Sequence, residues 1–93
     1  MMQNRTINLG MNYDELGRHS DAIEAYKQAI LIKPDYAEAH LGLGLTYLNL
    51  GDKSSALVEY KILKYLDTEL ANKLLNYIYI IILANKSLNY IYK

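Results

Sequence analysis

The amino-acid sequence repeats itself with a spacing of 34 residues, and this repeat constrains the fold more than any other feature. The matching positions hold the same apolar, aromatic or small residue in both copies: Leu9 and Leu43, Gly10 and Gly44, Tyr13 and Tyr47, Leu16 and Leu50, Gly17 and Gly51, Ala22 and Ala56, and Tyr26 and Tyr60. Periods of about 20–50 residues are the signature of stacked supersecondary units, each of which buries its apolar face on a neighbour. The repeat therefore predicts an array of similar units.

Each unit has the pattern of two helices joined by a short turn. In the second unit Leu41, Leu45 and Leu48 recur at helical spacing, and residues 51–53 contain the glycine of a turn. Polar residues suited to cap helices precede three of the predicted helices: Ser20, Asp35 and Ser54.

Gly10 and Gly44 lie inside predicted helices, where a glycine costs about 1 kcal/mol relative to alanine. Such a cost is tolerated where a second helix must approach closely, and Ala22 and its repeat partner provide small residues for that approach. Tyr26 and Tyr60 are then expected to pack between neighbouring helices.

Residues 9–34 read LGMNYDELGRHSDAIEAYKQAILIKP, and this pattern resembles a tetratricopeptide repeat. The resemblance covers two units, from residue 3 to about residue 70. The second unit departs from the pattern near its end, where Leu63 and Lys64 stand in the positions of Ala29 and Ile30. The resemblance implies an all-α fold of antiparallel helical hairpins, an α-solenoid, that typically serves as a non-catalytic scaffold for protein interaction.

We expect a single domain over residues 1–93, with one repeat at 3–36, a second at 37–66, and a capping helix with an extension at 67–93. Arrays that resemble this one usually close with an extra helix that covers the last apolar face. Acidic residues at 67 and 69 favour a helix start there because of the helix dipole. Leu70, Leu74 and either Tyr77 or Ile78 are expected to pack on the second hairpin.

The last residues contain two nearly identical segments, LANKLLNYIYI at 70–80 and LANKSLNYIYK at 83–93. An offset of 13 residues turns equivalent positions of a helix about 220° apart, so the copies would point to nearly opposite sides. A tandem duplication explains the second copy better than an interaction repeat does.

Across the junction of the two copies, residues 77–84 read YIYIIILA and contain no charged or amide side chain. A helix that is apolar on every side is normally buried, and two hairpins cannot surround one. The stretch therefore predicts self-association through a set of apolar residues: Tyr77, Ile78, Ile80, Ile81, Ile82 and Leu83.

In tetratricopeptide repeat arrays the first helix of each hairpin lines a concave groove. Carried over by position, the groove would present residues from both units: Asn4, Ile7, Asn8, Met11 and Asp14, then Glu38, Leu41, Leu45, Leu48 and Asn49. Family members that clamp a chaperone's terminal carboxylate use lysine, arginine and asparagine here, whereas this chain has mostly apolar residues. An apolar groove suits the apolar face of a helix. Alternatively, some of the leucines pack against the neighbouring hairpin.

The sequence offers no assembly of catalytic or metal-binding residues. There is no cysteine, and His19 and His40 lack the spacing of a metal motif. Asp14 is expected to pair with Arg18 one helical turn later. A formal net charge of zero argues against nucleic acid as the partner. We therefore expect no enzyme activity, no cofactor and a cytoplasmic protein.

Two functions remain open. The first is an adaptor that binds an apolar helical segment of another protein in its groove and also self-associates through its last helix. The alternative is a purely structural, domain-swapped homo-oligomer without an external ligand. A membrane-surface role is the weakest possibility, because the last helix lacks a strongly basic face.

Overall fold

A computed structural model describes the backbone of residues 2–91 and the side chains of residues 5–86. Five helices account for nearly all of that chain: α1 Met2–Glu15, α2 His19–Ile32, α3 Ala37–Asn49, α4 Lys53–Leu66 and α5 Thr68–Ile91. Over the described backbone there is no strand. The predicted all-α fold, two hairpins followed by a long helix, is confirmed.

The helices pack in chain order as two hairpins and a covering helix. α1 packs on α2 and α3 on α4, the second hairpin joins the first mainly through α2 and α3, and α5 lies across α3 and α4. The single chain measures 50 × 29 × 17 Å along its principal axes. The long axis is consistent with α5, whose 24 residues span about 36 Å.

The turns inside the two hairpins have the same construction. Gly17 and Gly51 both adopt a left-handed conformation, with φ of 78° and 79°. The next residue in each hairpin donates its backbone N–H to the carbonyl of a tyrosine, Tyr13 or Tyr47, at 2.8 Å. Because only glycine adopts this conformation without strain, the repeated glycine determines where the first helix of each unit ends.

The predicted helix caps are wrong at all three positions. α2 begins one residue before Ser20, and α3 begins at Ala37 without a side-chain cap, two residues after Asp35. α4 is capped by Asp52 instead of Ser54, and the Asp52 carboxylate accepts from the Ser55 backbone N–H at 3.1 Å. The same carboxylate accepts from the Ser55 hydroxyl, and these hydrogen bonds lower the pKa of Asp52.

Two apolar clusters form the core, one at each junction between units. The first cluster joins the hairpins around Tyr26, which is 2% exposed, and contains these buried residues: Ile7, Ala22, Tyr26, Ala29, Ala39 and Leu43. The second joins α3, α4 and α5 through another set of buried residues: Leu48, Ala56, Leu63, Ala71, Leu74 and Ile78. Each unit therefore completes its core only with residues of the next element.

α5 begins where the sequence indicates, at Thr68, and the Asp67 carboxylate accepts from the Leu70 backbone N–H at 3.2 Å. Leu74 and Ile78 are buried and Leu70 packs beside them, whereas Tyr77 points away from the core. The side chains of the second tail copy from residue 87 onward lie outside the described residues. Within the described helices, none combines the length and the apolar character that a membrane span requires.

Candidate functional site

An apolar pocket of about 280 Å³ opens between α1 and α3, on the side where the first helices of both units lie next to each other. Its lining comes from three helices and is almost entirely apolar: Ile7, Met11, Tyr26, Glu38, Leu41, Gly42 and Leu45. We call this surface the groove. Ile7 and Met11 form the wall on α1, and Leu41 and Leu45 form the wall on α3. The two residues of each pair are four apart, so they face the same side of their helix.

The Tyr26 ring forms the base of the groove, and two glycines make room for it. A Cβ atom on Gly10 would lie 2.7 Å from the Tyr26 ring, and one on Gly42 would lie 2.6 Å from it. No ordinary contact is that short, so α1 and α3 can hold this ring between them only as long as both positions are glycine.

The Asp14 side chain of α1 contacts residues of both α2 and α3 at the base of the groove. Its carboxylate is hydrogen-bonded to Tyr26 and approaches the Nδ1 atom of His19 at 2.9 Å. It also accepts from the Thr46 hydroxyl of α3 at 2.5 Å. Burial, and after it the negative charge and hydrogen bond of Asp14, raises the pKa of Tyr26 to about 12.

The expected pairing of Asp14 with Arg18 is wrong. Arg18 Nε instead lies 2.8 Å from the Asp21 carboxylate, and both side chains are about half exposed. Asp14 faces inward to the Tyr26 and Thr46 hydroxyls, so its carboxylate is already occupied by buried donors.

Five of the groove residues proposed from the sequence lie together in this pocket: Ile7, Met11, Glu38, Leu41 and Leu45. Asn8 and Asn49 are exposed but do not line it, and the side chain of Asn4 lies outside the described residues. Leu48 is only 5% exposed and packs in the second core cluster. Sequence reasoning missed Tyr26 and Gly42 as lining residues.

Glu38 is the only ionisable carboxylate in the described lining of the groove. Its side chain is exposed at the edge, so it keeps its hydration when the groove is empty. The groove thus offers an apolar strip with a negative charge at one end.

A second exposed apolar surface lies on the outer side of α5. Tyr77, Ile80 and Leu83 are 50%, 60% and 60% exposed, and Tyr77 and Ile80 share a hollow of about 360 Å³ with Lys73 and Asn76. We call Lys73, Asn76, Tyr77, Ile80 and Leu83 the α5 surface.

The six residues predicted for self-association are divided between the α5 surface and the core of the chain. Ile78 is 4% exposed, and Ile81 and Ile82 pack partly against the second cluster. Only Tyr77, Ile80 and Leu83 remain on the α5 surface, because successive helical residues point in different directions.

The second hairpin contains a buried polar pair that the sequence reading missed. His40 Nδ1 lies 2.7 Å from a Glu59 carboxylate oxygen, and His40 Nε2 lies 2.9 Å from the Pro34 carbonyl oxygen. Both ring nitrogens of His40 therefore have an oxygen atom within hydrogen-bond distance. The available signal was Glu59 itself, which stands on the apolar side of α4 between Ala56 and Leu63.

Neither the groove nor the buried pair has the composition of a metal centre. In the described part of the chain, no three or more histidine, cysteine, aspartate or glutamate side chains gather closely enough to hold a metal ion.

Two models of known families match overlapping parts of the chain. Residues 10–51 match the family model described as TPR repeat, and residues 37–67 match the one described as Tetratricopeptide repeat. The first match runs from the middle of α1 to the end of the second groove helix, and the second covers α3 and α4. No curated protein matches the chain.

Proposed function

The chain belongs to the tetratricopeptide repeat family, and from this premise we propose that it binds the apolar face of a helical segment of another protein in its groove. Repeats of this family generally mediate protein–protein interaction and are typically non-catalytic. The observation that carries the proposal is the apolar pocket between α1 and α3.

The lining specifies the chemistry of the bound segment. Met11 is 51% exposed and Leu41 and Leu45 are half-buried, so an incoming helix would remove apolar surface from water. Glu38 at the edge favours a lysine or arginine one or two turns from the apolar anchors. We therefore propose an amphipathic helix with two or three apolar anchors and a nearby basic residue.

The test is selection of helical peptides from a random amphipathic library on the full chain, followed by fluorescence anisotropy. Leu45→Lys places a charge among the apolar walls and is expected to weaken the selected peptides at least about tenfold. Leu31→Lys is the matched control, because Leu31 is 82% exposed and lies away from the groove. Peptides bound equally by Leu45→Lys and the unmodified chain would place the binding site elsewhere.

The second candidate function is self-association through the α5 surface. Three large apolar side chains lie exposed on one helix there, and exposed apolar patches mark interaction sites. This contact could accompany peptide binding, or it could form a purely structural, domain-swapped homo-oligomer without another ligand.

Two measurements separate these possibilities. Light scattering over a range of concentrations reports self-association, and a single-chain mass at every concentration would rule it out. The Ile80→Lys change is placed on the α5 surface to prevent self-association. The peptide affinity of this variant therefore measures binding in the groove alone. Self-association without any selected peptide would leave the purely structural function.

A further inference from the structure

Two surfaces on opposite sides of the described helices expose apolar side chains next to groups of opposite charge. At the N-terminal end, α1 and α2 form a hollow of about 260 Å³. We call this the α1–α2 end surface, and its lining is Thr6, Leu9, Tyr13, Asp21, Glu24, Ala25 and Gln28. At the other end lies the α5 surface, with Lys73 beside Tyr77 and Ile80.

The α1 side of the α1–α2 end surface repeats a surface of α3 that α2 covers inside the molecule. Leu9 occupies the repeat position of Leu43, which is 4% exposed because it packs with Ala22 and Tyr26 of the preceding unit. Leu9 itself is 46% exposed. On α1 the first hairpin therefore exposes a position that α2 covers on α3, whereas the repeat position of Glu24 is Val58 of α4, which is 53% exposed.

The charged residues beside the α1–α2 end surface indicate which surface covers it. Two acids border the α1–α2 end surface: Asp21 pairs with Arg18, whereas no cation among the described side chains pairs with Glu24. The α5 surface has Lys73, which also has no acidic partner among the described side chains. Contact between these two surfaces would bring Lys73 toward Glu24 and cover the apolar residues of both.

Pairing of two α5 surfaces with each other fits less well. An antiparallel pair centred between Tyr77 and Ile80 would set Lys73 opposite Ala84 of the second copy, which offers no acceptor. The apolar overlap would form, but both lysines would remain without an acidic partner.

We infer that the α5 surface of one copy docks on the α1–α2 end surface of a second copy, head to tail. This inference rests on the proposed self-association and names the surface that α5 meets. In this contact α5 lies over α1 as α2 lies over α3 inside the chain, and it extends further, onto Glu24 of α2. Because the two surfaces differ, an open assembly leaves one of each exposed and grows with concentration until the rotation between copies closes a ring.

The test uses two variants that each disable one surface of the full chain. Leu9→Glu places a charge beside Glu24, and Ile80→Lys places one beside Lys73. Both residues are substantially exposed, so neither change disturbs a core cluster. Each variant is expected to weaken self-association at least about tenfold and to sediment as a single chain at micromolar concentration.

Mixing the two variants is the decisive measurement. The Leu9→Glu chain keeps a working α5 surface, and the Ile80→Lys chain keeps a working α1–α2 end surface. An equimolar mixture is therefore expected to form a complex of twice the chain mass that does not grow further in sedimentation velocity. Leu31→Glu is the control and should assemble like the unmodified chain.

Charge reversal tests the pairing of Lys73 with Glu24. Glu24→Lys or Lys73→Glu alone should weaken assembly about two- to fivefold, and the chain with both changes should recover it. Absence of recovery would overturn this pairing.

The outcomes separate this inference from the function on which it rests. An unmodified chain that stays single up to millimolar concentration would overturn self-association altogether. A Leu9→Glu chain that still assembles would overturn only the head-to-tail contact and leave pairing between α5 surfaces. Variants that are single alone and fail to combine when mixed would overturn the contact as well.

Discussion

At the scale of single residues, Tyr26 holds the first junction together, and its ionisation is expected to weaken the fold at alkaline pH. Its pKa is raised from 10.0 to about 12, so the folded state favours the neutral phenol. A raised pKa contributes stability that is complete below pH 10 and is lost as the pH rises through about 12. The shift corresponds to roughly 2–3 kcal/mol of unfolding free energy.

Comparison of the unmodified chain with Tyr26→Phe by urea unfolding between pH 8 and pH 12 isolates this contribution, because all other groups titrate in both proteins. At pH 8 the variant should be less stable by about 1 kcal/mol, since it loses the hydrogen bond to Asp14. Toward pH 12 the difference should vanish or reverse. Tyr65→Phe, at a position 92% exposed, is the control, and a gap for Tyr26→Phe independent of pH would contradict the assignment.

Gly42 and Gly44 stand two residues apart on α3 and are expected to respond differently to alanine. A Cβ on Gly42 meets the Tyr26 ring at 2.6 Å, and the ring is held on its other side by Gly10. A Cβ on Gly44 first meets the terminal methyls of Leu74, Cδ2 at 2.7 Å and Cδ1 at 3.1 Å, at the end of a buried aliphatic side chain and not at a ring.

Gly42→Ala should therefore lower the free energy of unfolding by about 1–2 kcal/mol, after allowing for the better helix propensity of alanine. Gly44→Ala should cost less, within about 1 kcal/mol of zero. Thermal unfolding followed by circular dichroism compares them, and equal losses would mean that the Tyr26 ring is not confined.

At the scale of the elements, the second hairpin differs from the first by its buried His40–Glu59 pair. Removing one member leaves the other buried without its partner, so Glu59→Ala should cost about 3–5 kcal/mol. Unit 1 has Ala25 at the equivalent position, which shows that this helix pairing accepts alanine there. The double variant His40→Leu with Glu59→Ala should recover a large part of the loss, because neither unpaired group remains.

Equilibrium urea unfolding of both single variants and the double variant forms a cycle that measures the coupling. Additive losses would show that the 2.7 Å contact contributes nothing beyond the two separate side chains.

Neighbouring isoleucines of α5 are expected to have separable effects. Ile78 is 4% exposed in the second cluster, and Ile80 is 60% exposed on the α5 surface. Ile78→Ala should lower the free energy of unfolding by about 2–4 kcal/mol, whereas Ile80→Ala should change it by less than about 0.5 kcal/mol when measured on the dissociated chain. Only Ile80→Ala should directly weaken self-association. Equal stability losses in the two variants would contradict the orientation of α5.

At the scale of the whole molecule, self-association should make stability depend on concentration. Partner binding to the folded state alone raises the unfolding temperature as protein concentration rises. The melting temperature should therefore increase between micromolar and millimolar chain and stay constant for Ile80→Lys. Differential scanning calorimetry measures both, and a melting temperature that does not change with concentration would argue against the contact.

Much of the architecture was predictable because its signals are local and repeated. The 34-residue period and the turn glycines at 17 and 51 predict two hairpins, and the structure has helices over 37–49 and 53–66. Helix caps were not predictable to the residue, since Asp52 and Ser54 are both good capping types. Leu48 and Leu45 share a helical spacing, yet Leu48 is buried and Leu45 lines the groove.

The order of apolar, small and turn residues by itself determined the fold class, the repeat and the family, because each depends on spacing along the chain. The tertiary structure decided which apolar residues are buried. Ile78 and Ile80 belong to the same apolar stretch, and only the packing of α5 across α3 and α4 separates core from surface. Tertiary packing also decided that Tyr26 lies between Gly10 and Gly42 and that His40 lies beside Glu59. Those contacts depend on the rotation of one helix against another, which no spacing within a single helix specifies.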